Sequence, residues 1–507
     1  MSLLPGAMIK PEVYSHTVES VKLIETHLSW VFLTGVYAYK VKKPVCFDFV
    51  DFSSIGKRNF FCSEELRCNR AFAPELYLGV VPIVLRANGT LLVAPEAAVR
   101  GDEVIDYAVR MIQFDVNLQA DLLLENKELT VGEMFEFGGK LAAQHGILPQ
   151  LSSVYDPGKA ILENFTTLKK LDCLQSFSTQ IEMLETQAKY QLAQQGLFLQ
   201  ERYRDHFVRE CHGDLHLSNL ARLDSGLTAF DCLEFDESLR CIDVWCDIAF
   251  LFMDCCIRER ADLGYAFVDG YLMASGDYSG VQLLPMFAAY RSVVRAKIAA
   301  LRYEQTANPE VWQKIQKHVS WPLTQSSRPA GRLIITCGLS GSGKSYWAGQ
   351  LVTAIPSLRL CADVLRKTQY GYNAFENSQS DLGQDLYSES VSLQVYERLA
   401  DYSAVLLTLG ENVIVDAACL KRAQREVFYK IAQQVGVLPV VLHFTAPHEV
   451  LLNRITDRQL AGNNPSEADA VVLTWQLDEF EEPGVTEPVI TIDTQHATLS
   501  AVVARLS

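Results

Sequence analysis

Residues 338–345 read GLSGSGKS, and this stretch constrains the fold more tightly than any other in the chain. The pattern G-x-x-x-x-G-K-[ST] is met by Gly338, Gly343, Lys344 and Ser345. Glycines let successive backbone N–H groups turn inward around the α/β-phosphates of a nucleotide, a wrap that also takes in Ser340, Gly341 and Ser342. Lys344 is then expected to reach the β/γ-phosphates and Ser345 to bind Mg²⁺. Such a loop works only between a strand and a helix. Arg332–Cys337 (RLIITC) is a β-branched run suited to a buried strand, and Ser345–Ala354 (SYWAGQLVTA) reads as a helix. The helix N-terminus also favours the phosphates.

Further residues fit the same chemistry. Asn412–Asp416 (NVIVD) is a second apolar strand ending in a carboxylate, suited either to the Mg²⁺ shell or to capping a helix. A third short strand, Leu358–Cys361, leads into Asp363 and Arg366. A carboxylate there could accept the proton of an attacking hydroxyl; the alternative is a capping Asp beside a solvated Arg. Arg454 and Arg458 lie at i,i+4 in LLNRITDRQLAG and share one helix face. They read either as arginines over the phosphates or as a solvated basic face. From about residue 330 to 507 the chain resembles the P-loop kinase family that includes the 5′-kinase domain of polynucleotide kinases, the zeta toxins and chloramphenicol phosphotransferase. That resemblance implies that Asp363 is the general base, that Arg366 contacts the acceptor, and that Arg454 and Arg458 belong to a lid. No motif identifies the acceptor pocket.

A second constellation lies upstream. His212-Gly213-Asp214 followed by Asn219 (HGDLHLSN) has the Asp-to-Asn spacing of a kinase catalytic loop. In that pattern the Asp takes the acceptor proton and the Asn binds Mg²⁺. Leu227–Phe230 followed by Asp231 supplies the second metal carboxylate after a short strand. This part resembles the aminoglycoside phosphotransferase and choline kinase family. The resemblance extends to Asp243 and Asp247, one of which it implies ties the catalytic loop to the next helix. A strand from Trp30 into YAYKVKK offers Lys40 for the α/β-phosphates, with Lys42 as the alternative on the same strand face. Glu65 on the following helix is its expected partner, with Glu64 as the alternative. A solvated strand end and helix face would look alike in sequence. No glycine loop precedes Lys40; the turn at Thr26–Trp30 has no glycine.

The two parts together resemble a bacterial group in which an aminoglycoside-phosphotransferase-like domain is fused to a P-loop kinase. The stretches THLSWVFLTG, YKVKKPV, FDFVDFS and YRSVVRAK carry that resemblance. It supplies no substrate, and fold alone is no argument for antibiotic resistance. The expected fold class is a multidomain α/β and α+β protein. A protein-kinase-like two-lobed fold is expected over 1–325, with the lobes meeting near residue 110. A linker at 326–331 and a P-loop fold with a parallel sheet over 332–507 follow. The Pro/Ser/Gly stretch from Trp321-Pro322 to Gly331 marks that boundary. Between the N-lobe and the catalytic loop, Ala160–Asp205 has a helical pattern with an expected break at Gly196.

At 507 residues, two or three domains can each bury a core. No stretch reads as a targeting segment, and the longest apolar run, Trp245–Ile257, is interrupted by Asp247 and Asp254. The 13 cysteines are scattered without a C-x-x-C pair and read as reduced core thiols. A cytoplasmic protein without membrane partners is expected. Net charge is −16; residues 330–507 hold 13 basic and 20 acidic residues, giving −7 and leaving −9 for the rest. Neither part is the basic surface of a general nucleic-acid binder. The sequence therefore points to an ATP- and Mg²⁺-dependent phosphotransferase acting on small-molecule hydroxyls. Two rivals stand beside it. In one, a nucleotide-binding domain switches the other domain; in the other, the P-loop part is a polynucleotide 5′-hydroxyl kinase.

Overall fold

The computed structural model describes residues 4–47, 50–93, 103–150, 156–376, 386, 388–461 and 466–506. Residues 1–3 of the N-terminal stretch and residues 48–49 of FDFVDFS lie outside them. The chain forms two compact units. The first comprises Met1–Leu129, Ile147–Tyr155 and Tyr203–Asp247; the second comprises Thr130–Gly146, Asp156–Arg202 and Ile248–Ser507. The parallel sheet expected after the glycine loop is present in the second unit, and the first unit carries an antiparallel sheet with a helix against it.

The first unit is built on an antiparallel sheet of β1 (Lys22–Glu25), β2 (Ser29–Leu33), β3 (Tyr37–Lys42), β4 (Tyr77–Leu85), β5 (Leu91–Val93) and β6 (Glu103–Ile112), in the order β1-β2-β3-β6-β4-β5. The expected single strand from Trp30 is a hairpin, turned at Gly35 with φ 95°. Alternation along β3 decides which groups meet. Tyr39 and Val41 join the core with Phe32, Val81 and Ile83. Lys40 and Lys42 take the other face, toward helix α1 (Ile55–Arg70), whose N-terminus is capped by Ser54 accepting from the Lys57 N–H. Arg58 of α1 is buried against Asp106 of β6 at 2.9 Å and fixes the helix to the sheet. The HGDLHLSN segment leads into a small hairpin of β7 (Leu220–Leu223) and β8 (Gly226–Ala229).

The second unit combines helices with a parallel sheet. Its helices include α2 (Val131–Ile147), α3 (Ser178–Arg204), α4 (Ala261–Ser275), α5 (Leu284–Thr306) and α6 (Pro309–Ser326). The sheet contains β9 (Leu333–Cys337), β10 (Leu358–Cys361), β11 (Val413–Asp416), β12 (Pro439–Thr445) and β13 (Val489–Asp493), in the order β10-β11-β9-β12-β13. The residues of β9, β10 and β11 are all buried, as a parallel sheet covered on both faces requires. Helix α7 (Lys344–Ala354) follows the glycine loop, and α8 (Ala362–Gln369) follows β10. Chain order reverses around β9, and ligands of open parallel sheets bind beyond the carboxyl ends of strands at such a point.

Two local expectations are corrected. Gly196 does not break its segment: α3 runs through it without interruption. Nothing lies within 4 Å of where its Cβ would be, and good helix formers on either side outweigh the roughly 1 kcal/mol penalty of one glycine. The helical run is interrupted instead around Leu171, which is extended. Trp321-Pro322 is not part of the boundary, because α6 continues to Ser326 with Pro322 inside it. A proline there has no N–H to offer the carbonyl four residues back, that of His318. The buried Ser292 hydroxyl of α5 donates to that carbonyl at 2.8 Å and replaces the missing bond.

Ser292→Ala should therefore lower the unfolding free energy of this unit by about 1–3 kcal/mol, the penalty of an unsatisfied buried acceptor. Adding Pro322→Ala restores an N–H and should recover part of the loss, whereas Gly196→Ala should stabilise slightly. Denaturant melts of the four proteins check this; equal loss in the single and double variants would contradict the proline account.

Candidate active sites

In the first unit a buried charge network joins β3, α1 and the segment after β8. Lys40 Nζ lies 2.7 Å from Glu65 Oε1 and 2.5 Å from Asp231 Oδ1. Lys42 Nζ lies 2.8 Å from Glu65 Oε2 and also contacts Glu234. Glu65 thus bridges both lysines, while Glu64 pairs with Arg67 and Arg240. The lysines differ in surroundings: Lys42 is 1 % exposed, whereas Lys40 faces Asp231, whose side chain is 45 % exposed. Burial opposes the Glu65 charge, but the two lysines outweigh it and hold the carboxyl down at about 2. Glu234, with burial dominant, is pushed up instead.

Asp231 stands at φ 62°, an uncommon conformation that Asp tolerates better than most residues. Its N–H donates to the Tyr77 hydroxyl at 3.1 Å, and the next N–H, of Cys232, donates to Asn69 Oδ1 at 2.8 Å. The sheet and α1 therefore set the backbone that aims Asp231. Asp247 accepts from the N–H groups of His212 and Gly213 at 3.1 and 2.9 Å, tying down the HGDLHLSN loop, while Asp243 accepts from the Trp245 N–H. Asp214 Oδ2 accepts from Asn219 Nδ2 at 3.1 Å and lies 3.3 Å from His216 Nε2. With its amide nitrogen on Asp214, Asn219 has its carbonyl oxygen as the remaining ligand for a cation.

In the second unit the glycine loop sits where β9 meets α7. Gly338 and Gly341 have φ of 141° and 79°, and a Cβ on either would come within 2.5 Å of a backbone carbonyl oxygen, of Phe444 or Leu451. Only glycine fits these two positions. Gly343, at φ 93°, precedes the first residue of α7. The N–H of Ser340 donates to Gln476 Oε1 at 2.7 Å, and Ser342 Oγ is buried without a hydrogen-bond partner among the described residues. Lys344 Nζ donates to the Leu339 carbonyl at 2.8 Å. Burial pushes the Lys344 pKa down, against the pull of Asp416 and Asp363, and the Arg458 charge adds to the depression.

Strand register brings the carboxylates to the same end of the sheet. Cys361 of β10 pairs with Asp416 of β11, and Asp363 lies two residues beyond Cys361. Asp416 Oδ1 accepts from Ser345 Oγ at 3.1 Å; Oδ2 is buried and has no hydrogen-bond partner among the described residues. Asp363 accepts from Arg366 Nη1 at 2.7 Å. The solvated-Arg alternative does not hold, because Arg366 is buried, and Cys361 rather than Asp363 is the N-cap of α8. Arg454 and Arg458 lie on the helix His448–Ala461. Arg454 Nη1 donates to the Gly341 carbonyl at 3.2 Å and Thr494 Oγ1 at 2.8 Å, while Arg458 Nη2 donates to the Ala468 carbonyl at 2.6 Å.

The structure adds residues that sequence reasoning missed: Glu234, His216, Gln476, Arg359 and Asp269. Arg359 carried one signal, a charge in the otherwise apolar strand LRLC.

Residues 333–483 match the AAA domain family. An uncharacterized protein of Mycobacterium tuberculosis is 26 % identical over 445 residues, covering 88 % of this chain and 87 % of its own. A choline/ethanolamine kinase family protein from Mesorhizobium loti aligns structurally over 61 % of this chain and 88 % of its own, at 12 % identity and a TM-score of 0.37. The Mycobacterium tuberculosis APS kinase, solved with AMPPNP and APS, aligns over 35 % of this chain and 96 % of its own, at 19 % identity and a TM-score of 0.26. Among the described residues no helix is long and apolar enough to cross a membrane.

Glu65→Gln should destabilise the first unit by about 3–5 kcal/mol, because buried lysines lose their shared counter-charge. The Glu65 carboxyl is depressed in the folded state, so its contribution is present above the ordinary 4.5 and is lost as pH falls toward about 2. Denaturant melts at pH 7 and pH 4 should show a shallower acid loss in the variant; identical slopes would contradict the pairing.

Proposed function

We propose that this chain is an ATP- and Mg²⁺-dependent phosphotransferase with two kinase-type sites acting on hydroxyl groups of small molecules. The proposed catalytic modules are residues 1–325 and 332–507, joined at 326–331, in a cytoplasmic protein. The observation that carries the reading is the Ser345–Asp416 pair, with a buried carboxylate oxygen left open beside Lys344. A hydroxyl and a carboxylate are hard oxygen donors, which suit Mg²⁺ and not a softer metal. Asp231 and Asn219 offer the first site an equally hard pair. Bound there, Mg²⁺ would neutralise charge on the β- and γ-phosphates.

In the transfer, the acceptor hydroxyl oxygen bonds to the γ-phosphorus as the bond to the β–γ bridging oxygen breaks, releasing ADP. Asp214 takes the hydroxyl proton in the first site, and Asp363 takes it in the second. Lys40, held by Glu65, meets the α/β-phosphates. Lys344 exchanges the Leu339 carbonyl for the β/γ-phosphates, and the loop N–H groups surround them. Arg366 orients the acceptor beside Asp363, while Arg454 and Arg458 supply positive charge near the phosphates. The pairing of Lys40 with both Glu65 and Asp231 supports a working first site over a purely regulatory one. The charge of −7 over residues 330–507 supports a small acceptor over a nucleic-acid end.

Labelled γ-phosphate transfer into a metabolite extract by the whole chain tests this. Lys344→Ala should remove one set of products. Asp214→Asn should slow formation of another by roughly 10²–10⁴-fold, typical of general-base loss, with little change in nucleotide affinity. Full activity in Lys344→Ala would contradict the P-loop assignment. Efficient phosphorylation of an oligonucleotide 5′-end that falls steeply with salt would instead favour the polynucleotide kinase.

A further inference from the structure

The carboxylate that pairs with Ser345 does not stand alone. Behind it, Arg359 of β10 is buried at 5 % exposure. Its Nε lies 2.8 Å from Asp269 Oδ1, and its Nη2 lies 2.7 Å from Asp269 Oδ2. The third nitrogen, Nη1, donates to the Ser345 carbonyl at 3.2 Å and stays 3.8 Å from Asp416 Oδ2. Asp269 belongs to α4, far from the glycine loop in sequence. Helix α4 packs on α7, β10 and α8, and so covers the edge strand of the parallel sheet. Two further contacts fix that docking: the Cys361 N–H donates to the Tyr278 hydroxyl at 3.1 Å, and Tyr265 contacts Glu411.

The geometry has an electrostatic consequence. Arg359 is a fixed cation within reach of Asp416, and Asp416 Oδ2 is the buried oxygen that makes no hydrogen bond among the described residues. A guanidinium free to turn would pair with that oxygen at hydrogen-bond distance and neutralise it. With Nε and Nη2 on Asp269, the nearest nitrogen, Nη1, stands 3.8 Å from that oxygen, beyond hydrogen-bond distance. We propose that Asp269 is a positioning residue of the P-loop site, which holds Arg359 off the open oxygen of Asp416 and leaves that oxygen to a divalent cation. The inference rests on the P-loop reading given above. It also makes α4, from the part of the chain that resembles the aminoglycoside kinases, a component of the second site.

The test is a MgCl₂ titration of the whole chain with a fluorescent ATP analogue, read as binding rather than turnover. It is run in an Asp231→Asn background to suppress the first site, and only the Mg²⁺-dependent signal lost in Ser345→Ala is counted. Asp269→Asn should raise the Mg²⁺ midpoint by about tenfold, as loss of an outer-shell partner does, with binding in the absence of Mg²⁺ unchanged. Asp269→Asn combined with Arg359→Gln removes the competing cation and should return the midpoint to the starting value. A merely structural role for the pair would not reverse in this way. An unmoved midpoint in Asp269→Asn, or one still raised in the double variant, overturns the inference. Should Asp269→Asn alone fail to fold, the double variant decides: a midpoint at or below the starting value supports the inference, and a raised one overturns it. If Ser345→Ala leaves the Mg²⁺ dependence intact, the P-loop reading itself fails and the inference with it. Loss in Ser345→Ala beside an unmoved Asp269→Asn midpoint overturns the inference alone.

Discussion

A cation in a protein interior needs a partner that balances its charge, and a carboxylate delivered by another element is the strongest such partner. Lys42, Arg58, Arg202, Arg359 and Arg425 are all buried here, and they meet Glu65 with Glu234, Asp106, Asp277, Asp269 and Glu487 respectively. These pairs bring together residues far apart in the chain. Each is correct only when both elements are docked, so the pairs specify docking geometry more than they add net stability. Both candidate sites are built on this constraint: Glu65 meets Lys40 beside Asp231, and Asp269 holds Arg359 with its nearest nitrogen 3.8 Å from Asp416.

The two candidate sites use the backbone differently. In the second, the conformation of the glycine loop at Gly338 and Gly341 matters more than side chains. In the first, charged side chains on a strand and a helix converge, and the backbone's task is to aim them. Asp231 in its left-handed conformation, held by Tyr77 and Asn69, is the clearest instance. Positioning by side chains needs a rigid scaffold, which the antiparallel sheet and α1 provide through the Arg58–Asp106 pair.

Much of this was legible in sequence because it is local. The glycine loop, the short apolar strands ending at Cys361 and Asp416, and the Asp-to-Asn spacing of HGDLHLSN are encoded within a few residues each. The helix through Gly196 and the continuation of α6 past Pro322 were not legible. In both cases a local breaker is overridden by its context: strong helix formers around Gly196, and the Ser292 hydroxyl on a separate helix for Pro322.

The sequence by itself determined that the chain carries a glycine loop of the P-loop pattern between a strand and a helix, and carboxylates beyond the strands that follow it. Periodicity also placed Lys40 and Lys42 on one strand face. Only the tertiary structure decided that Glu65 serves both lysines while Glu64 turns to Arg67 and Arg240, and that Asp247 accepts from the N–H groups of His212 and Gly213. It alone joined Asp269 to Arg359 across 90 residues of chain. The reason is physical: spacing along a chain fixes which residues share a face, but which charges meet depends on how separate elements pack.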